Sequence, residues 1–280
     1  MKWLLCCWAV AAGAAEIGGS DLLGGNFAAA FARAAGSVEA DFSGTLPARR
    51  ALAEGRLGAA VLLRRAEDPA PTATGTEVWE CPLAAAVIVV SAHGSNRCER
   101  LTLEQLADAF ARDARSPARN WDDLDATARS ELISPAVCSP PGTLVAEIFQ
   151  GIVLAGQPFR PDVRQRIEPA LAADLLSARA GSLVLHPRVF EGRGRIIPIA
   201  DGRPGRSATA YAPDDANVRN GDYPLQLPLV LCVRADRVGP LREALRWLCS
   251  DEAARLIEQQ GLHASAAPVR RRFVQRLDTR

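Results

Sequence analysis

Glu16-Ile17-Gly18-Gly19-Ser20-Asp21-Leu22-Leu23-Gly24 follows directly on a short apolar leader, and its reading decides the fold. It predicts a strand that stops at a Gly-Ser-Asp turn and hands over to a helix starting near Leu22 and continuing through Phe27 and Phe31. A helix N-terminus carries unpaired N–H groups and the positive end of the helix dipole, so such a turn is an anion-binding corner. Two more corners of similar build occur further along, at Ser43-Gly44-Thr45 and around Ser139 to Thr143. Taken singly, each is equally an ordinary N-cap, because Ser, Thr and Asp are favoured at that position in any helix.

Upstream, Met1-Lys2, an apolar run over 3–12 and the small residues Gly13-Ala14-Ala15 read as a signal peptide, 1–15, cut before Glu16. The run is shorter than the about 20 residues of a transmembrane helix. No later segment is long enough either, so the mature chain is expected to be soluble and periplasmic. A chain of 280 residues can bury a sizeable core in one large or two modest domains. A net charge of +1 argues against a nucleic-acid partner, which calls for a basic excess. Five cysteines follow the leader: Cys81, Cys98, Cys138, Cys232 and Cys249. Their scatter shows no metal-ligand spacing, an odd count leaves at least one without an intrachain partner, and buried apolar roles are the default.

Downstream, strands alternate with helices, which predicts an α/β class. Strands are expected over 38–42, 57–63, 83–90, 182–185, 196–199 and 225–233, the stretch 83–90 being apolar enough for a buried central strand. Helices are expected over 47–54, from Thr102 with Gln105 completing a capping box, through Leu144, Ile148 and Ile152, and over 239–248 and 251–260. The segments 137–143 and 201–222 read as loops, and a basic tail surrounds Arg270, Arg271 and Arg272.

This order of features resembles the periplasmic substrate-binding proteins of phosphate-type ABC transporters. Ile17-Gly18-Gly19-Ser20-Asp21 is similar to the family's first strand and ligand turn. Phe42-Ser43-Gly44-Thr45 with Gly55 is similar to its second ligand loop and helix, and Gly142-Thr143 ahead of Phe149 to its third loop. Leu101 to Leu106 with Trp121, Gly221-Asp222-Tyr223-Pro224-Leu225 and Ser250-Asp251-Glu252-Ala253 complete the series. The resemblance covers nearly the whole mature chain. It implies a two-lobe, type II periplasmic-binding-protein-like fold with a ligand cleft, lobe 1 formed by 16–86 plus 226–280 and lobe 2 by 87–225. It further implies a monomer that binds inorganic phosphate or a similar oxyanion and delivers it to an ABC-transporter permease. The ligand would be held by Ser20, Asp21, Gly44, Thr45, Ser139, Gly142 and Thr143, with no metal and no cofactor.

The chain also departs from the family pattern. Val137 stands where relatives place an Arg, Pro140 and Pro141 carry no N–H, and Gly58 stands where an Asp is expected. Hydrogen bonds to charged groups contribute about 1.5–3 kcal/mol each. Losing two therefore weakens phosphate roughly a hundredfold, at about 1.4 kcal/mol per decade. Arg49, Arg50, Arg97 and Arg188 are candidates to restore the charge, although solvated arginines are the commoner case. An alternative reading is a periplasmic sensor or interaction module that kept the fold and lost tight phosphate binding. An enzyme is not expected: His93, His186 and His263 are far apart, and no nucleophile elbow, zinc-protease helix or P-loop is present. Cleavage of the leader predicts a mature N-terminus at or close to Glu16, which intact-mass measurement of the exported protein checks.

Overall fold

The computed structural model describes residues 16–65, 68–126, 128–140, 143–188, 190, 192 and 194–279. The leader, 1–15, and Pro141-Gly142 of the third loop lie outside them. The described chain opens with β1 (Ile17–Gly19), α1 (Asn26–Ala34), β2 (Ala40–Asp41), α2 (Thr45–Ala53) and β3 (Ala59–Leu63). β1 pairs parallel with both β2 and β3. The helix expected from Leu22 is divided. Asp21–Leu23 forms one 3-10 turn, and the α-helix starts only after Gly24-Gly25. Phe27 and Phe31 still face inward, each packing edge-on to Phe42 and against Trp247.

β4 (Val78–Ala92) is 15 residues long, well beyond the expected 83–90. Pro82 hides its first part from a sequence reading, because proline removes a ladder donor. The ladder absorbs it at a β-bulge: the register with the later strand β12 (Gln226–Arg234) shifts between Leu229 and Val230, opposite Ala84 and Pro82.

The middle of the chain supplies β5 (Leu101–Thr102), α3 (Leu103–Phe110), α4 (Trp121–Leu124), β6 (Ser134–Cys138), α5 (Val145–Ile152), β7 (Arg164–Ile167), α6 (Pro169–Ala178) and β8 (Ser182–Pro187). The capping box forms as expected, Thr102 Oγ1 accepting from Gln105 N and Gln105 Oε1 from Thr102 N. Three expectations are corrected. Val137 and Cys138 belong to a buried strand between β7 and β8 rather than to a loop. The run 196–199 is split between β9 (Arg195–Ile196), which pairs with β4, and β10 (Ile199–Ala200), which pairs with β5 and β11 (Ala210–Tyr211). The supposed loop 201–222 contains β11 and α7 (Asp215–Asn220).

After β12 come α8 (Val238–Leu248), α9 (Asp251–Gln259), β13 (His263–Ala264) and α10 (Ala267–Asp278). The basic tail is this last helix. Arg270 is buried, its Nε donating to Cys249 O at 3.2 Å and its guanidinium reaching Ser265 O and Asp251. Arg276 lies 3.9 Å over the Trp79 ring.

The main sheet runs β2-β1-β3-β12-β4-β8-β6-β7. β4 is common to both of its halves. Up to Val87 it pairs with β12, and from Ile88 onward with β8. Tyr223, fully buried, donates from its hydroxyl to Ile88 O at 2.7 Å at this hand-over. Each half-sheet carries its own helices, which gives a two-lobe mixed α/β architecture. No helix among the described residues is long and apolar enough to cross a membrane. All five cysteines after the leader are free and buried.

Two stability effects follow from these contacts. Tyr223→Phe leaves Ile88 O without its donor and should cost about 1–3 kcal/mol, read as a lower denaturant midpoint at unchanged slope. His186 is buried in β8 with Nε2 2.9 Å from Ser91 Oγ, and burial lowers its pKa from 6.5 to about 4. The folded state thus favours the neutral ring. Its contribution is complete above about pH 6.5 and is lost as the pH falls toward about 4, where the unfolded chain takes up a proton first. His186→Gln should flatten that segment of a stability–pH curve; an unchanged slope would refute the assignment.

Candidate functional site

The first two corners meet at the carboxyl ends of β1 and β3, where ligands gather in open α/β sheets. Gly19 permits the approach, since a Cβ there would lie 2.9 Å from Val61 O and 3.0 Å from Phe42 Cδ1. Ser20 follows, buried, and its amide donates to Val61 O at 2.8 Å. Its Oγ accepts from Leu22 N at 3.3 Å and lies 3.4 Å from Asp21 Oδ1. Leu23 N and Gly24 N bond back to Ser20 O and Asp21 O. The Gly-Ser-Asp turn therefore spends most of its donors on itself, and Asp21 is left on the surface.

Gly44 is tied to the same place by its amide, which donates to Gly19 O at 2.9 Å. Its φ of 150° is a conformation that favours glycine. Thr45 opens α2, and its Oγ1 accepts from Leu63 N at 3.1 Å. A hydroxyl that accepts one bond still has its proton to give. Thr45 keeps an available donor at a helix start whose N–H groups are those of Thr45 and Leu46, since Pro47 has none and Ala48 N donates to Gly44 O.

The third corner lies across the sheet hand-over. Thr143 Oγ1 donates to Pro140 O at 2.8 Å and sits 3.4 Å from Ser139 Oγ, so both hydroxyls face their own loop. Gly142 lies outside the described residues. A cavity of about 30 Å³ joins Leu22 of the first corner to Thr143, Val145 and Ile148 of the third, over Ala86 to Ile88 of β4. That volume is about one water's share of the liquid. The structure thus brings Ser20, Gly44 and Thr45 together, while Thr143 lines a small, largely apolar seam that the first corner touches through Leu22.

Charge is distributed differently from the sequence expectation. Val137 is fully buried, paired with Leu185, and presents nothing to the seam. Gly58 lies at the opposite, amino edge of β3, with its amide on Glu16 O, its carbonyl on Arg234 N, and Leu241 and Arg237 packed against it. An Asp there could not meet a ligand at the carboxyl ends, so Gly58 costs the proposed site no contact. Arg50 pairs with Glu54, Arg49 with Asp68 and Arg188 with Asp215. Arg97 lines a separate cavity with Thr102 and Asp125.

Arg65, two residues past β3, reaches across to α5. Its guanidinium packs against Gly151 in α5, where any Cβ would collide with Nη2. It opens onto a 210 Å³ crevice shared with Ile152, Tyr223, Gln226 and Arg206. Among the described residues Arg65 makes no ion pair. Its signal in the sequence was position alone: the first charged residues after an apolar strand mark a carboxyl end.

The histidines form no common site. His186 bonds Ser91, His93 Nδ1 lies 2.8 Å from Ser95 Oγ, and His263 Nδ1 is 3.7 Å from Asp215 Oδ1. No cluster able to hold a metal occurs among the described residues.

No family model matches the chain, and no curated protein matches it in sequence. Solved structures do. A possible phosphate binding protein from Planctomyces limnophilus superposes with a TM-score of 0.74 at 17% identity, covering 95% of this chain and 97% of its own. An ABC-type phosphate transport receptor from Vibrio cholerae gives 0.61 at 17%, covering 89% and 99%. PstS from Borrelia burgdorferi gives 0.67 at 12%, covering 90% and 98%. Along nearly its whole described length, the chain has the fold of the substrate-binding proteins of phosphate ABC transporters.

Proposed function

We propose that this chain is an exported solute-binding protein that takes phosphate or a related oxyanion between its lobes and passes it to an ABC-transporter permease. The observation that carries the reading is the Gly19–Gly44–Thr45 corner on a fold shared, over 95% of the chain, with a possible phosphate binding protein. In this reading lobe 1 is 16–86 plus 226–280 and lobe 2 is 87–225. They part by a hinge at the β4 hand-over and at the start of β12, and close on the ligand.

Thr45 and the α2 amides hold the anion from lobe 1, with Ser20 and Asp21 shaping the turn beside them and Gly44 allowing close approach. Ser139, Gly142 and Thr143 meet it from lobe 2. Arg65 supplies the charge that Val137 does not. A seam of about 30 Å³ must open to admit an oxyanion and its donors, which fits a protein that captures ligand by lobe motion.

The small apolar seam favours a second reading: a sensor or interaction module that kept the fold and lost tight binding. Calorimetric titration of the exported, ligand-stripped protein with phosphate, sulfate, molybdate and small phosphonates separates the two. Binding of one oxyanion at submicromolar Kd is the expected result, and silence across the panel selects the second reading. Arg65→Ala should weaken the bound anion about 10- to 100-fold, the worth of one charged hydrogen bond. An Arg65→Ala protein that binds like the parent would remove Arg65 from the site.

A further inference from the structure

The five buried thiols are not equivalent. Cys232 faces Ala60 and Leu62 on one side of the main sheet, Cys138 lies under α6, and the Cys98 thiol donates to Arg100 O at 3.2 Å. Cys81 and Cys249 share the large central core; the Cys81 thiol, which donates to Pro82 O at 3.7 Å, is the leading cause that pushes the Cys249 thiol's pKa up. Independent bonds bring the same two stretches together. Arg270 Nε donates to Cys249 O, the Arg270 guanidinium also reaches Ser265 O, and Ser265 N donates to Leu83 O. Leu83 and Cys81 lie two apart on β4, so their side chains share its inner face, which alternates Trp79, Cys81, Leu83 as buried positions. Cys249 ends α8, whose buried side is Val238, Leu241, Ala244, Leu245 and Leu248.

We infer that Cys81 and Cys249 are a disulfide site, closed when the chain folds in an oxidising compartment. The inference rests on the export proposed above. The bond would staple β4 to the end of α8 and so tie together the two separated chain stretches that build lobe 1. A long closed loop is where such a link most restricts the unfolded chain.

The chemistry is a thiol–disulfide exchange. One thiolate attacks the oxidant's disulfide, giving a mixed disulfide and releasing one reduced thiol of the oxidant. The second protein thiolate then attacks the mixed disulfide, forming the Cys81–Cys249 bond and expelling the oxidant's other thiol. Two electrons pass to the oxidant, and the two protons lost by the cysteines are taken up by its two sulfurs. Glutathione disulfide or a periplasmic thiol–disulfide oxidoreductase can serve.

Timing matters. Once the core is closed, the Cys81 thiol and burial hold the Cys249 thiol far from its reactive form. The link must form before the core seals, and the folded, reduced protein should resist oxidation.

Reduced, denatured protein is refolded in a glutathione redox buffer, alkylated under denaturing conditions and digested for mass spectrometry. A peptide linking Cys81 to Cys249, with Cys98, Cys138 and Cys232 alkylated, is the expected result; both target cysteines alkylated would overturn the pairing. Reduction should lower the guanidinium midpoint of this oxidised protein and leave a Cys81→Ser variant refolded alongside it unmoved. Equal sensitivity in both also counts against the bond. Protein expressed with its own leader in a bacterial host is tested in parallel. If the link forms on refolding but not there, the export reading fails rather than the pairing, and neither readout depends on whether an anion binds.

Discussion

The hand-over of β4 from β12 to β8 between Val87 and Ile88 is the constraint on which the rest of the molecule depends. A strand of 15 residues exceeds the usual length of about 3–10. This one is long because it serves two half-sheets in turn, each with its own helices. Every backbone group of a buried strand needs a partner, so the hand-over must leave none stranded. Tyr223 closes one such gap by donating to Ile88 O, and Ile88 N reaches Leu225 O. Any relative motion of the lobes has to bend β4 here while keeping those bonds or exchanging them for others. The small residues Ala84, Ala85 and Ala86 just before the hand-over leave room beside it for β13 and the seam cavity.

Much of this fold was legible because its local signals agree with its global packing. The capping box at Thr102 and Gln105 and the apolar faces of α3, α5 and α8 needed no tertiary knowledge. What could not be read had a physical cause in each case. Pro82 reads as a breaker and is absorbed by a bulge, which only the pairing with Val230 reveals. Gly24-Gly25 reads as part of a helix and divides it. β7 is an exposed edge, with Arg164, Gln165 and Arg166 all facing solvent, so it lacks the alternation that marks a half-buried strand. Val137 and Cys138 are flanked by strands on both sides, with Cys138 under α6 and Val137 in the central core on the other face, contacts made by segments distant in sequence.

The site was legible as places more than as chemistry. Ser20, Gly44 and Thr45 do gather at one set of strand ends. Which of them keeps a donor for a ligand depends on hydrogen bonds that no spacing encodes. Ser20 looks the most complete corner in the sequence, yet its amide donates to Val61 O, and its hydroxyl accepts from Leu22 N and gives its proton to Asp21 Oδ1. Thr45 reads as a routine cap and keeps its proton, because Leu63 N uses only its oxygen. Gly58 cannot stand in for a ligand-contacting Asp: just before the amino end of β3, it is five residues from Leu63, where the strand ends. That is about 16 Å of strand at 3.3 Å per residue, beyond the reach of any side chain.

These assignments bear on how an anion could be held at all. An oxyanion entering the seam finds an apolar wall on β4 and α5, so it gives up hydration there without compensation. Burying a charge in that way is costly unless charge-assisted bonds replace the lost water. The first corner can offer them only by breaking its own turn, and the third only by turning Thr143 away from Pro140. Thr45 in the second corner needs no such exchange, and Arg65 would exchange only its packing on Gly151. They stand on consecutive features of lobe 1, Thr45 held by Leu63 N and Arg65 two residues further on, while the Arg65 guanidinium rests on Gly151 of lobe 2. An anion drawn toward Thr45 therefore competes with lobe 2 for the same arginine. Under the proposed function, ligand capture and lobe closure would be coupled through this one side chain, and its packing on Gly151 would subtract from the measured binding energy.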